Sequence, residues 1–406
     1  NDIELRPEYQ QPMHDITLNH LRESNEPAFI SGSVGCGKTV NIGAIAHYVK
    51  DIGGRTLVVA RTGKLISQNS EMAWKMGLKN SVYSASRNSK STFYPSVFAS
   101  EGSLALALNT DFKNLKFNVI LIDECHEVNW AEVLDALKDK QFMTGDYCQY
   151  AKIIAHFIHL NPKTKVIGYT GSPYRGKEDI LGAYWKKKLY EVSTMYLVSI
   201  NYLVAPVFGF GDGYDLSQWE PSQDPNSGSD FSSQALSEMQ DVITKDEQKT
   251  QVIMEEVVAI CESRSGGVMI TCAGKKHCEQ VAKHLPDGSW VIIVSGKGMS
   301  EKKKDKALDD ARSGAIKYVL QVGCLTTGVN VPPWSVSVIL RKIGSLTLLT
   351  QLIGRILRIL EPEDIDNGFT KVDGLVLDYT DTFESFGDIY EDPLLDQARA
   401  FKSQKE

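Results

Sequence analysis

From residue 28 onward the chain alternates short apolar runs with segments of helical periodicity. In the first half the runs are Ala28 to Ser31, Thr56 to Ala60, Val97 to Ser100, Val119 to Ile122 and Val166 to Tyr169, and the segment Val40 to Val49 is helix-like. Continuous apolar runs of this length, alternating with helices, are the pattern of a parallel sheet covered on both faces. A second series follows: Gly267 to Cys272, Trp290 to Val294, Tyr318 to Val322, Val336 to Leu340 and Leu375 to Tyr379, interleaved with helical segments such as Lys249 to Ser263 and Lys275 to Leu285. Two α/β domains are therefore predicted, 1–196 and 197–396, with a short tail at 397–406. The stretch from Gly211 to Gln234, rich in Gly, Ser, Asp and Pro, is expected to be a flexible insert or linker. No repeat of solenoid length is present.

Length and composition agree with this division. A chain of 406 residues, 42% apolar, exceeds what one core usually serves. No stretch approaches the roughly 20 apolar residues of a membrane span. Residues Asn1 to Gln11 are polar and acidic, unlike a secretory signal, so a cytoplasmic location is expected. The seven cysteines (Cys36, Cys125, Cys148, Cys261, Cys272, Cys278, Cys324) are scattered and form no C-x-x-C pair, which suggests reduced, mostly buried thiols. The net charge of -7 is local, because residues 361–396 hold twelve acidic side chains against one Lys. That acidic stretch, with Phe383, Phe386 and Tyr390 among its charges, is read as packing on the body in preference to mimicking nucleic acid. Lys186 to Lys188 and Lys302 to Lys304 are read as solvated faces, and Trp130, Trp219, Trp290 and Trp334 as packing residues. His47, His156, His159, His277 and His284 lack metal-ligand spacing and are read as structural or surface residues.

The strongest chemical signal is Gly32-Ser33-Val34-Gly35-Cys36-Gly37-Lys38-Thr39, a complete G-x-x-x-x-G-K-[ST] lying between an apolar run and a helical segment. In this context the glycines let backbone N–H groups from Ser33, Gly35, Cys36 and Gly37 wrap phosphates. Lys38 neutralises the β- and γ-oxygens, Thr39 ligates Mg²⁺ and the helix N-terminus adds its dipole. Further on, Val119-Ile120-Leu121-Ile122 runs into Asp123-Glu124-Cys125-His126. In a P-loop enzyme the first carboxylate holds the Mg²⁺ shell and the second orients and deprotonates the attacking water. Taken alone, such an acidic strand end could equally cap the next helix. ATP and Mg²⁺ are the cofactors expected.

Asp-Glu-Cys-His is similar to motif II of superfamily 2 helicases, and further motifs follow in that family's order. Arg6 to Gln10 resembles the segment whose glutamine reads adenine, here Gln10. Thr56 to Leu65 resembles motif Ia and Phe98 to Leu104 motif Ib, which implies nucleic-acid contacts at Arg61, Thr62, Ser100, Glu101 and Gly102. Tyr169 to Arg175 resembles motif III, carrying Thr170 and Ser172, and His126 resembles the residue that links motif II to it. In the second domain Gly267 to Cys272 resembles motif IV. Leu325 to Pro332 resembles motif V, with strand contacts at Thr326 and Thr327 and nucleotide contacts at Gly328 and Asn330. Gln351-x-x-Gly354-Arg355-x-x-Arg358 resembles motif VI, whose arginines, three apart and expected on one helix face, would act on the γ-phosphate with Gln351 beside them.

The resemblance runs from about Leu5 to Tyr379 and is nearest to RadD-like DNA repair helicases. It implies two RecA-like domains with an ATP cleft between them, and an ATP-driven DNA helicase or translocase acting in replication, recombination or repair. It also implies a monomeric chain, single-stranded or branched DNA as partner with RNA as the alternative, a single-strand-binding or repair protein as a further partner, and no membrane. A bacterial cytoplasm or phage-infected cell would be its setting. Asn330 where relatives often have Asp, and Gly171-Ser172 where Ala-Thr is common, depart from the pattern and bear on how hydrolysis couples to movement. Rival readings are a duplex translocase that does not separate strands, an adaptor using ATP only as a switch, and a P-loop kinase. The last has no need of a second domain ending in Q-x-x-G-R-x-x-R.

Overall fold

The computed structural model describes residues 4–175, 178–221, 230–294, 299–325 and 329–386. The chain divides into two compact units, one of residues 1–173 with 179–193, the other of residues 174–178 with 194–406.

In unit 1 the strands are β1 (Ala28–Gly32), β2 (Thr56–Ala60), β3 (Ser81–Ser84), β4 (Ser89–Lys90), β5 (Ser96–Ser100), β6 (Val119–Asp123) and β7 (Lys165–Thr170). The two-residue strands β8 (Tyr174–Arg175) and β9 (Glu178–Asp179), in and next to the 174–178 segment assigned to unit 2, pair only with each other, and β10 (Lys188–Val192) completes the large sheet of unit 1 in the order β10-β1-β7-β6-β2-β5-β3-β4. All neighbours run parallel except β3 and β4. β1, β2, β5 and β6 are buried along their whole length, which is why they read as unbroken apolar runs. The edge strand β10 carries Lys188 and Glu191, is only partly buried, and shows no such run in the sequence. One face is filled by Phe29, Phe112, Phe117, Phe157, Trp130 and Trp185, the last donating its indole N–H to the Cys125 carbonyl at 3.1 Å.

Unit 2 has β11 (Ala205–Phe210), β12 (Gly267–Thr271), β13 (Trp290–Ile293), β14 (Tyr318–Gln321), β15 (Trp334–Ile339) and β16 (Asp373–Asp378), in the parallel order β11-β16-β15-β12-β14-β13. Its helices include Glu247–Glu262, Lys275–Ala282 and Leu346–Ile356. The part of the Gly211 to Gln234 stretch that is described has neither helix nor strand up to residue 221, yet Tyr214, Leu216 and Trp219 are buried in the unit 2 core. Its polar composition hid three anchoring side chains; residues 222–229 lie outside the described residues. The acidic segment packs: Phe383 and Phe386 are buried, and Glu361 pairs with Arg312 at 2.6 Å while capping the helix Pro362–Asp366, whereas Tyr390 lies outside the described residues. Among the described residues no helix is long and apolar enough to cross a membrane. All seven cysteines are free, five of them buried, with Cys148 exposed and Cys324 partly so.

Candidate active site

Strand order brings the nucleotide motifs together. β1 and β6 are separated by one strand, β7, so the loops leaving their C-terminal ends lie at the same sheet edge. Ser33 to Gly37 turn between β1 and the helix Lys38–Asp51, which starts at Lys38 with Thr39 in its first turn. Gly37 has φ +82° there, and a Cβ on it would sit 2.3 Å from Gln10 Nε2. Only glycine fits that backbone and that approach. Gln10 is held in turn: its Oε1 accepts from the Arg6 N–H at 3.0 Å and its Nε2 donates to the Cys36 carbonyl at 3.2 Å. Lys38 Nζ donates to the Gly32 carbonyl at 3.0 Å, folded back over its own loop. A Cβ on Gly171, just past β7, would lie 3.1 Å from that ammonium.

Asp123 closes β6 and is buried. Its Oδ1 accepts from the Glu124 N–H at 3.1 Å and its Oδ2 from Asn69 Nδ2 at 2.9 Å. Burial, then the neighbouring Glu124, push its carboxyl up to about 6, against Lys38 and Asn69, which pull it down. Glu124 sits in the left-handed region at φ 60°, a conformation that costs a non-glycine residue roughly 1 kcal/mol. Its Oε2 is buried without a hydrogen bond and lies 3.4 Å from His126 Nδ1. His126 Nδ1 is also 3.0 Å from Thr170 Oγ1. Because the single Thr170 hydroxyl proton goes to the Ser172 carbonyl at 3.0 Å, the imidazole is the donor in that contact. One buried and one half-buried carboxylate, a lysine and a threonine hydroxyl at a glycine-rich loop are a hard-oxygen and cation set suited to a triphosphate and a divalent ion. Asn69 belongs to no motif in the sequence; it reaches Asp123 only because β2 and β6 are neighbours and its helix, Gly63–Lys75, follows β2.

In unit 2, Arg355 is buried on the helix Leu346–Ile356 and donates to the Val329 carbonyl, while Arg358 donates to Asn330 Oδ1. The two arginines do not share a helix face. The helix ends at Ile356, Leu357 accepts from the Val204 N–H at 2.8 Å, and Arg358 bridges to Leu203 in antiparallel fashion. Backbone pairing with the 203–204 segment overrides the helical continuation. Gln351 is buried on the same helix.

The type III restriction enzyme res-subunit family matches residues 2–175, and the helicase conserved C-terminal domain family matches residues 248–360. IRC3 of Saccharomyces cerevisiae, assigned as an ATP-dependent helicase, is 22% identical over 370 residues, covering 88% of this chain and 50% of its own. The chain belongs to helicase superfamily 2. Its fold is that of two RecA-like domains. A fragment assigned as the HsdR subunit of a type I restriction enzyme from Vibrio vulnificus superposes with TM-score 0.67 at 17% identity, over 98% of this chain and 68% of that one. The Type ISP restriction-modification enzyme LlaBIII, bound to DNA, superposes with TM-score 0.62 at 14% identity, over 94% and 28%. The chain thus spans half the length of IRC3 and less than a third of LlaBIII.

The helicase residues expected at the nucleic acid fall into three groups. Arg61 is exposed and Gly102 has open space at its Cβ position, so both can meet a strand. Thr62 is exposed and caps the helix Gly63–Lys75 by accepting from the Leu65 N–H at 3.3 Å, a contact that does not use its hydroxyl proton. Ser100 is buried, with its Oγ 3.0 Å from Ser84 Oγ and 3.1 Å from Ser103 Oγ, and Thr170 and Ser172 are fully buried beside His126. These three are placed to support the loops and not to touch a strand. Glu101 carries the wrong charge for a phosphate: burial pushes its carboxyl up, Arg61 pulls it down and Glu127 pushes it further up, so it belongs to an ionic cluster. Thr326, Thr327 and Gly328 lie outside the described residues, and Asn330 is exposed.

Proposed function

We propose that this chain is a Mg²⁺-ATP-driven motor acting on DNA, in which phosphate binding at the P-loop and strand binding near Arg61 are coupled to hydrolysis. The observation carrying the reading is Glu124: a carboxylate with a buried, hydrogen-bond-free oxygen, in a strained backbone conformation, next to a buried Asp123 and within 3.4 Å of an imidazole. Such an oxygen is available to a water at the γ-phosphate. Thr39 and Asp123 would hold Mg²⁺, which would offset the charge repulsion that lifts Asp123. Lys38 would leave the Gly32 carbonyl for the phosphates. Gln10 would read the base, and Arg355, Arg358 and Gln351 would serve the transition state as motif VI does in the family. DNA is favoured over RNA because the res-subunit family and LlaBIII, by their names, belong to DNA restriction systems. A role in repair rests on the RadD-like marks of the sequence.

The test is steady-state ATPase turnover with single-stranded DNA, forked DNA and RNA in turn at one stated salt concentration. Lys38→Ala and Glu124→Gln are expected to abolish DNA-stimulated turnover with unchanged circular dichroism; wild-type turnover in either variant refutes the assignment. A second reading, translocation on duplex DNA without strand separation, draws on the likeness to HsdR and LlaBIII. Triplex displacement without unwinding of a forked duplex would select it.

A further inference from the structure

Outside the catalytic set, Glu127 stands between the strand-facing surface of unit 1 and the hydrolytic carboxylate. Its Oε1 is 3.0 Å from Arg61 Nη1 and 3.7 Å from His126 Nε2. The opposite nitrogen of that ring, Nδ1, is the one near Thr170 Oγ1 and Glu124 Oε2, at 3.0 and 3.4 Å. A continuous polar chain therefore runs Arg61, Glu127, His126, Glu124, with one carboxylate oxygen shared between the first and third members. That oxygen makes a hydrogen-bonded ion pair with Arg61 and stands beyond hydrogen-bond range of His126. Arg61 and Glu127 are accessible to solvent, whereas His126 is largely buried. A ligand approaching from outside thus meets the Arg61 end of the chain first. Glu101, whose carboxyl feels both Arg61 and Glu127, adds negative charge at that end and so favours transfer of the guanidinium to a partner only if that partner is strongly anionic.

We infer that Glu127 is a positioning residue that makes hydrolysis answer to nucleic acid, by competing with a strand phosphate for Arg61. A phosphate that takes Arg61 frees Glu127 Oε1 to close on His126 Nε2; because the ring's Nδ1 proton already points to Thr170 Oγ1, Nε2 takes a proton from solvent as this contact forms, and the ring becomes an imidazolium. The imidazole is then clamped between two carboxylates and fixes the Glu124 carboxylate for its water. Without a strand, Arg61 holds Glu127 away and Glu124 is left loosely oriented. The inference rests on the proposed DNA-dependent ATPase reading and names how that dependence is wired.

The experiment is a single-stranded DNA titration of ATPase rate with the full chain, comparing wild type, Glu127→Gln, Arg61→Ala and the double variant. Glu127 is on the surface, so its replacement leaves the core untouched, and an unchanged melting temperature verifies this. In Glu127→Gln half-maximal activation is expected at an about two- to fivefold lower DNA concentration, the size of a surface ion pair removed as competitor. The maximal stimulated rate is expected to fall roughly tenfold, as for other outer-shell partners. A purely structural residue would not tighten activation while lowering the maximal rate. Arg61→Ala should raise the DNA concentration needed, and adding Glu127→Gln to it should no longer lower that concentration. The inference is overturned if Glu127→Gln changes neither parameter, or if it weakens activation and rate in parallel. A wild-type chain that DNA does not stimulate overturns the functional reading along with it; stimulation of the wild type with an unaltered Glu127→Gln overturns this inference alone.

Discussion

Replacing Asn69 by Ala isolates the contribution of one hydrogen bond to Asp123, the carboxylate proposed to hold the metal. Asn69 Nδ2 donates to Asp123 Oδ2 at 2.9 Å, and both side chains are buried. Asp123 keeps the Glu124 N–H on its other oxygen, so the variant frees one oxygen and leaves its placement to torsional freedom. A hydrogen bond to a charged group contributes about 1.5–3 kcal/mol, which corresponds to about 10- to 150-fold in rate if it is expressed fully in the transition state. Folding loses a comparable amount, because the buried carboxylate beside Glu124 loses a donor, but in a chain of this size that moves the melting temperature by only a few degrees. The expected result is a fall in kcat/KM for ATP of at least tenfold with a melting temperature within a few degrees of wild type. Asn69→Asp should be worse, since it sets a third negative charge against the same pair. Turnover of Asn69→Ala within twofold of wild type, at saturating DNA and Mg²⁺, would refute the claim that this contact orients Asp123.

Two further outcomes follow from single contacts. Gly171→Ala puts a methyl 3.1 Å from Lys38 Nζ and 3.3 Å from the Gly32 carbonyl, so the lysine must move; an about threefold or larger rise in KM for ATP is expected, with kcat changed less, measured by ATP titration. His277 is fully buried, accepts from the Ala273 N–H at 3.1 Å through Nδ1, and burial pushes its pKa from 6.5 down to about 3. The unfolded chain takes up a proton there below 6.5 and the folded chain does not, so the stability is complete above that pH and is lost as pH falls toward 3. At pH 5 this site alone should cost about 2 kcal/mol, and His277→Gln should flatten that part of the pH dependence in urea unfolding by about one proton.

Where local pattern and tertiary role coincide, the sequence was sufficient. The central strands β1, β2, β5, β6 and β7 stood out because full burial demands continuous apolar residues, and the P-loop stood out because its backbone geometry admits few residue types. The edge strand β10, with Lys188 and Glu191, had no such constraint, and neither did the loop residues Tyr214, Leu216 and Trp219, whose burial depends on what lies above them. The single-helix reading of Arg355 and Arg358 failed for the same reason: periodicity carries no information about Leu203 and Val204 pairing with the chain just past Ile356.

The motifs by themselves carried the chemistry proposed for the nucleotide site, since phosphate, metal and water would each require a particular group, and those groups occur at spacings that a strand, a tight turn and a helix N-terminus impose. Only the folded chain decided which side chains serve those groups. Asn69 meets Asp123 across two adjacent strands, Ser100 turns inward to other serines, and Arg61 pairs with Glu127 far along the chain. Such contacts depend on strand order and burial, which bring together residues of arbitrary separation, and no local rule of sequence encodes them.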